Sequence, residues 1–285
     1  LWKEKPLVSV LIPNKDHKED LEKCIRSIYE KSTYRNFEIL VIENNSETEE
    51  IFSFYEQLKK EHSNLRILNW KKPFNYSAIN NFGVEHARGE YLVLLNNDIE
   101  VKTEDWMEEM LGYCQREDVG IVGAKLLFPD ERIQHAGIIV GLGPSGTAGH
   151  IFYTFPNDVF TYAGKTSSTQ DLSAVTAACM MTKKSLYQKI GGMDESFAVA
   201  FNDVDYCLRV REQNKLVVYQ AFVEMYHYES VTRGYEDKPE NAKRFEQETK
   251  RFKKRWAKIL KAGDPYYNPN LSLARSYCSL RKRNE

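Results

Sequence analysis

The chain is 285 residues long, 42% hydrophobic and 28% charged, which supplies a sizeable core and excludes wholesale disorder. Forty Lys and Arg stand against 41 Asp and Glu, a formal net charge of −1, so no nucleic acid partner is expected. With no apolar run of about 18 residues, no membrane-spanning helix is predicted. The charge is unevenly spread: residues 238–285 carry fourteen Lys and Arg against five acids. This basic extension is expected to touch a membrane surface or a second subunit, or to be a solvated helix face. The opening Leu1-Trp2-Lys3-Glu4-Lys5 has no initiator Met and no signal-peptide pattern, so a module of something longer is one expectation. Cysteines 24, 114, 179, 207 and 278 form no C-x-x-C motif. They are expected to be reduced, buried thiols in a cytoplasmic protein, with contact at the inner face of the membrane as a further option.

In chain order, Leu7 to Ile12 reads as a buried strand stopped by Pro13, followed by a helix with Leu21, Cys24, Ile25 and Ile28 inward. Glu38 to Ile42 is a second strand ending in Glu43-Asn44-Asn45-Ser46. Ile51, Phe54, Tyr55 and Leu58 mark a second helix. Leu65 to Leu68 is a third strand; Ala78, Ile79 and Phe82 mark a third helix capped by Asn75 or Ser77. Tyr91 to Leu95 is a fourth strand, running into Asn96-Asn97-Asp98. This alternation predicts a Rossmann-like α/β sheet, in which ligands bind beyond the carboxyl ends of the strands. Three of the four strands end in polar clusters: Asn14-Lys15-Asp16, Glu43-Asn44-Asn45 and Asn96-Asn97-Asp98.

Further strands are predicted at 120–128, 137–141, 216–219 and 222–226, a long loop at 144–165, and a buried run at 174–181. Asp203 opens a short helix with Val204, Cys207 and Leu208 inward. Glu240 to Leu260 reads as one long helix whose apolar side carries Phe245, Phe252 and Trp256. Two regions are expected: a catalytic α/β domain over 1–235 and a basic helical extension over 236–285. Gly141-Leu142-Gly143-Pro144-Ser145-Gly146 matches the dinucleotide pattern G-x-G-x-x-G. It neither follows the first strand nor opens a convincing helix, which argues against a nicotinamide or flavin enzyme.

The remaining polar clusters suit chemistry on a diphosphate. A carboxylate just after a buried strand, as at Asp98, holds a hard divalent cation that neutralises phosphate oxygens. His227 at the end of a strand suits a further position on that metal. Asp203 reads either as a helix N-cap or as a general base at a helix start. Asp205, two residues on, lies on another helix face, so one of the pair is expected to reach the ligand and the other to be structural. His135 and His150 flank the Gly-rich loop and are candidates for lining an acceptor side.

Six segments in this order resemble the family 2 glycosyltransferases with the GT-A fold. They are Val8 to Asn14, Glu43 to Ser46, Leu95 to Asp98, Gly191-Gly192-Met193-Asp194-Glu195, Asn202 to Arg209, and His227-x-Glu229-Ser230. The branch they resemble builds bacterial surface polysaccharides and protein-linked glycans with rhamnosyl-, glucosyl- and galactosyl-type enzymes. The resemblance spans residues 7–270. It implies a mixed, mostly parallel sheet flanked by helices. It also implies inverting transfer of a hexose from a UDP- or dTDP-linked sugar, with Mn2+ or Mg2+, to a hydroxyl of a glycan, glycoprotein or lipid-linked acceptor.

Carried onto this chain, the resemblance puts Pro13, Asn14, Lys15, Glu43, Asn45, Ser77, Asn80, Asn96, Asn97 and Asp98 against the nucleotide-sugar. Asp98 and His227 fall on the metal and Asp203 is the base. Asp205, His150 and Asp194 lie toward the acceptor. Asn96 stands where the family's D-x-D motif has its first acid, which lowers the charge around the ion. Asn202 stands for the Glu of its Glu-Asp motif. The alternative is a catalytically silent sugar-nucleotide-binding module of a larger synthase, which would show no donor hydrolysis.

Overall fold

The computed structural model describes residues 5–228 and 239–283. The first elements are β1 (Val8–Asn14), α1 (Lys18–Lys31), β2 (Phe37–Glu43), α2 (Glu49–Glu61), β3 (Leu65–Asn69), α3 (Tyr76–His86) and β4 (Tyr91–Leu95). They are followed by β5 (Ile99–Val101), α4 (Trp106–Cys114), β6 (Val119–Leu127), β7 (Ile133–His135), β8 (Ile138–Val140), β9 (Ala148–His150) and β10 (Gln170–Leu172). Last come β11 (Cys179–Lys183), α5 (Lys184–Lys189), α6 (Asn202–Arg211), β12 (Leu216–His227), α7 (Pro239–Arg255) and α8 (Ala257–Ala262).

The main sheet runs in the order β10-β12-β6-β11-β4-β1-β2-β3, with β5 on β12 and β7 on β6. β1 pairs in parallel with β2 and β4, and β2 with β3. β11 is antiparallel to both β4 and β6. The sheet is mixed and flanked by helices, as expected. Side chains alternate between its faces. Leu11, Leu40, Ile42, Leu92 and Leu94 join a core with α3, α6 and α7. Val10, Ile12, Ile39, Val41 and Val93 join another with α1, α2 and α4. Chain order reverses direction between β1 and β4, the switch point at which open α/β sheets leave a crevice. Gly83 lets α3 lie close on β1, because a Cβ there would come within 2.4 Å of Leu11.

Pro13 does not stop β1. Pairing with β4 ends at Leu11↔Leu94, whereas pairing with β2 runs on to Asn14↔Glu43. A residue without an N–H is tolerated where one neighbour has already left. Residues 137–141 do not join the main sheet. β8 pairs with β9, inside the stretch read as loop, and the G-x-G-x-x-G match is their turn, with Gly141, Gly143 and Gly146 at positive φ. The run at 174–181 becomes a strand only from Cys179. The two strands read at 216–226 are one, with a register shift between Gln220 and Glu224.

The long C-terminal helix breaks at Trp256, whose φ is −101°. Its indole Nε1 reaches Asp205 Oδ1 at 3.0 Å. Phe252, Trp256, Tyr267, Leu271 and Cys278 belong to the same core as Leu11. The described part of the extension is thus packed into the α/β body, and its apolar stripe is covered. The expected boundary at 235/236, and the residues from Glu229 to Gly234, lie outside the described residues. All five cysteines are free and buried. No helix of the described residues is long and apolar enough to cross a membrane.

Candidate active site

At the switch point the strand ends form one hydrogen-bonded row. Asn97 Nδ2 donates to Asn14 Oδ1 (2.7 Å), Asn14 Nδ2 to the Tyr55 hydroxyl (2.8 Å), and that hydroxyl to Glu43 Oε2 (2.6 Å). Glu43 also accepts from the Ser46 amide and hydroxyl (2.5 and 2.7 Å). Burial and the Glu43 carboxylate push the Tyr55 phenol up, so it stays a donor. Asp16 ties the loop after β1 to the start of α2 by accepting from the Glu47 amide (2.8 Å) and the Thr48 amide and hydroxyl (both 3.0 Å). Burial raises its carboxyl, but these bonds outweigh it and hold the group below the usual range. Pro13 is half-buried and Lys15 is exposed, 3.4 Å from Glu47. Asn45 is exposed and left-handed (φ 57°), donating to the Lys72 carbonyl at 3.0 Å.

The antiparallel pairing of β5 with β12 sets His227 opposite Ile99, and the Tyr228 amide donates to the Asp98 carbonyl at 3.0 Å. This register brings two buried side chains together: His227 Nε2 lies 3.1 Å from Asp98 Oδ1 and 3.3 Å from Asn96 Nδ2. Burial and then the Asp98 charge push the nearby Asp20 carboxyl up, the signature of negative charge crowded in a poorly solvated corner. Among the described residues no group of three His, Cys, Asp or Glu side chains converges on a metal position. The pair would offer a hard cation one carboxylate oxygen and one imidazole nitrogen.

Asp203 lies in the first turn of α6, half-buried, and is linked to that corner by a short shelf of backbone. The Ala177 amide donates to Asp203 Oδ2 (3.3 Å). The Ala177 carbonyl receives the Tyr76 hydroxyl (3.0 Å), which also lies 3.4 Å from Asn96 Oδ1. The Ala178 carbonyl receives the Asn96 amide (3.0 Å). Asp203 Oδ1 accepts from the Val204 amide at 2.8 Å. Both carboxylate oxygens are thus oriented by backbone. At the other end of the shelf the Thr176 amide lies 3.4 Å from His135 Nε2, and His135 Nδ1 is 3.0 Å from His150 Nδ1. His150 is thus linked to the shelf through His135.

Four predicted positions sit elsewhere. Ser77 is fully buried, and its hydroxyl donates to the Phe197 carbonyl at 2.6 Å. Asn80 is fully buried, with its amide on the Tyr76 carbonyl at 2.9 Å. Ser77 faces the interior because the exposed-looking start of α3 is covered by residues 195–198; Asn75, not Ser77, is the cap, accepting from the Ala78 amide at 3.0 Å. Asp205 is completely buried and ion-paired to Arg209 (2.8 Å) and Arg255 (2.8 Å), a clamp rather than an acceptor contact. Asp194 pairs with Arg255 (2.6 Å) and accepts from the Ser196 amide (2.8 Å). It lines a cavity of about 430 Å3 with Asn81, Arg209 and Arg255 that includes none of Asp98, His227 or Asp203. Tyr55, Tyr76 and the 176–178 shelf are participants the sequence reading missed. Tyr55 and the run at 174–181 were read as core because their spacing is apolar, and Tyr76 was not singled out.

A parallel β1–β4 unit, antiparallel strands beyond it, polar strand ends at the switch point and an acid at a facing helix start define a GT-A fold. In the solved structure of GalNAc-T7 with UDP, GalNAc and Mn2+ the same fold recurs at a TM-score of 0.65, 13% identity, over 78% of this chain and 43% of that one. The model of glycosyl transferase family 2 matches residues 9–191, and the chain belongs to that family. It is 43% identical over 272 residues to the uncharacterized protein y4gI of Sinorhizobium fredii, covering 95% of this chain. It is 38% identical over 281 residues to the O-antigen biosynthesis protein RfbC of Myxococcus xanthus, covering 98% of this chain. The chain spans 30% and 21% of the lengths of these two relatives.

Proposed function

We propose that this chain is an inverting hexosyltransferase unit. It would move a sugar from a UDP- or dTDP-linked donor to a hydroxyl of a glycan, glycoprotein or lipid-linked acceptor. The observation that carries this reading is the shelf at 176–178, which joins Asn96, beside Asp98 and His227, to Asp203. A leaving-group corner and a proton acceptor would then flank one short strip of backbone, as a displacement at a sugar carbon calls for.

The row Asn97-Asn14-Tyr55-Glu43 closes the floor under the nucleotide with side chains already bonded to one another, so little is reordered on binding. Asp98 and His227 would hold Mn2+ or Mg2+, which supplies neutralising charge to the diphosphate leaving group. The donor set, a carboxylate beside an imidazole in a buried corner, fits such a cation. Support comes also from GalNAc-T7, whose structure contains UDP and Mn2+. Asp203, its carboxylate oriented by the amides of Ala177 and Val204, accepts the proton of the acceptor hydroxyl. The oxygen then attacks the anomeric carbon from the face opposite the leaving group.

The test is release of nucleoside diphosphate from a panel of nucleotide sugars, with Mn2+ or Mg2+, by the wild-type protein and by Asp203→Asn. Turnover that is lost in the variant while donor binding persists supports the reading. Binding with no turnover by the wild type points to a silent sugar-nucleotide-binding module.

A further inference from the structure

We infer that Glu248, on the C-terminal helix, is a positioning residue for the Asp203 carboxylate; the inference rests on the assignment of Asp203 as base. Residues 195–201 form the loop that enters α6, and their backbone is held from two sides. Its carbonyls face α3: Asn75 Nδ2 donates to Glu195 O (2.8 Å), Ser77 Oγ to Phe197 O (2.6 Å) and the Tyr76 amide to Ala198 O (2.8 Å). Its amides face α7. Ala198 N and Val199 N donate to Glu248 Oε1 (2.6 and 3.1 Å), and Ala200 N donates to Oε2 (3.1 Å). Three consecutive amides thus converge on one carboxylate that is 2% exposed. Amides donated to an ionised acceptor make strong hydrogen bonds.

The next residue shows what the anchor holds. Phe201 adopts φ 62°, ψ 6°, a left-handed conformation that a bulky residue keeps only when its surroundings impose it. It packs between Phe245 and Phe252 of the same helix, with ring centroids at 5.6 and 5.1 Å. Two residues later comes Asp203. Beyond Asp203, Arg255 and Trp256 grip Asp205 at 2.8 and 3.0 Å. The proposed base therefore sits between two anchors, both supplied by a helix more than forty residues downstream. The residues that line the nucleotide floor lie between Asn14 and Asn97, and none of those named there touches Glu248.

This geometry sets a signature that general destabilisation would not give. Glu248→Gln keeps the shape but turns an N–H toward an N–H, releasing the turn. Turnover should fall by about 10²-fold, the cost of misplacing a reacting group by about 1 Å. The KM for donor, and the affinity for UDP with Mn2+ measured by calorimetry, should not change. Glu248→Asp, which keeps the charge one methylene short, should fall between. Amides 198–200 should exchange hydrogen faster in Glu248→Gln while those of β1 and β4 do not.

Asp203→Asn is measured alongside, in the full-length protein. Wild-type turnover in Glu248→Gln, with Asp203→Asn inactive, overturns the inference and leaves the base assignment standing. Wild-type turnover in Asp203→Asn removes the base assignment itself. Parallel loss of UDP affinity and turnover in Glu248→Gln reduces Glu248 to a folding residue and also overturns the inference.

Discussion

Residues 8–98 and residues 174–256 place the residues of the candidate site by different routes. On the first side, Asn14, Glu43 and Asn97 stand at the ends of neighbouring parallel strands, in a register set by the sheet itself, and bond to one another or to Tyr55 on the intervening helix. On the second side, Asp203 starts a helix that no parallel strand end delivers. Its place depends on Ala177, on Ser77 and Asn75 of α3, and on Glu248 and Arg255 of α7. A floor built into strand ends is rigid by topology, whereas an acid in the first helical turn after a tethered loop is placed by side chains remote in sequence. The row Asn97-Asn14-Tyr55-Glu43 should tolerate loss of any one of its polar contacts; the placement of Asp203 should not.

The sharpest break in that comparison is Asp203→Asn. General-base catalysis contributes about 10²–10⁴-fold, so transfer should drop by that amount while calorimetric nucleotide affinity stays at the wild-type value. Next in size is Asp205→Ala. It leaves Arg209 and Arg255 facing an empty, fully buried site, and urea unfolding should show a loss of about 3–5 kcal/mol. If the loss were only that of an exposed ion pair, the clamp on α6 would be less than its burial suggests. On the other side, Tyr55→Phe removes one hydroxyl from the floor and leaves Asn14 Nδ2 and Glu43 short of a partner, at a cost of about 1–3 kcal/mol. Turnover at saturating donor should be unaffected.

The smallest effect is a pH slope. Burial, then His150 and His227, hold His135 well below its ordinary value of 6.5. The unfolded chain therefore takes up a proton there that the folded chain does not. Stability from this group is complete above about pH 6.5 and is lost as pH falls toward its depressed folded value. His135→Gln should flatten that acid-side slope in thermal unfolding between pH 7 and 5. An unchanged slope would assign the acid sensitivity to other groups.

The same division explains what was legible in the sequence. The alternation of β1 to β4 with α1 to α3 was readable because each element carries its own periodicity, and the polar strand ends followed from it. Asp98 and Asp203 stood out as acids at a strand end and a helix start. Ser77 was misread because a polar residue at a helix start looks free until a loop 120 residues later covers it, and Asn80 because its amide turns back onto the Tyr76 carbonyl of its own helix. Asp205 was misread because its cations come partly from Arg255, 50 residues away. Glu248 carried no signal at all, being one acid in a helix whose other face is charged. β8 was legible as a strand at 137–141, but its partner β9 was hidden by short length and turn residues. The break in the last helix follows from where the Trp256 indole must reach.

The most direct test of the account is calorimetric titration of UDP, with and without Mn2+, into the wild type, Asp98→Asn and Asp203→Asn. The account predicts that Mn2+ strengthens UDP binding in the wild type and in Asp203→Asn but not in Asp98→Asn. Mn2+ dependence that survives in Asp98→Asn, or that disappears in Asp203→Asn, would contradict the division of labour between the two carboxylates.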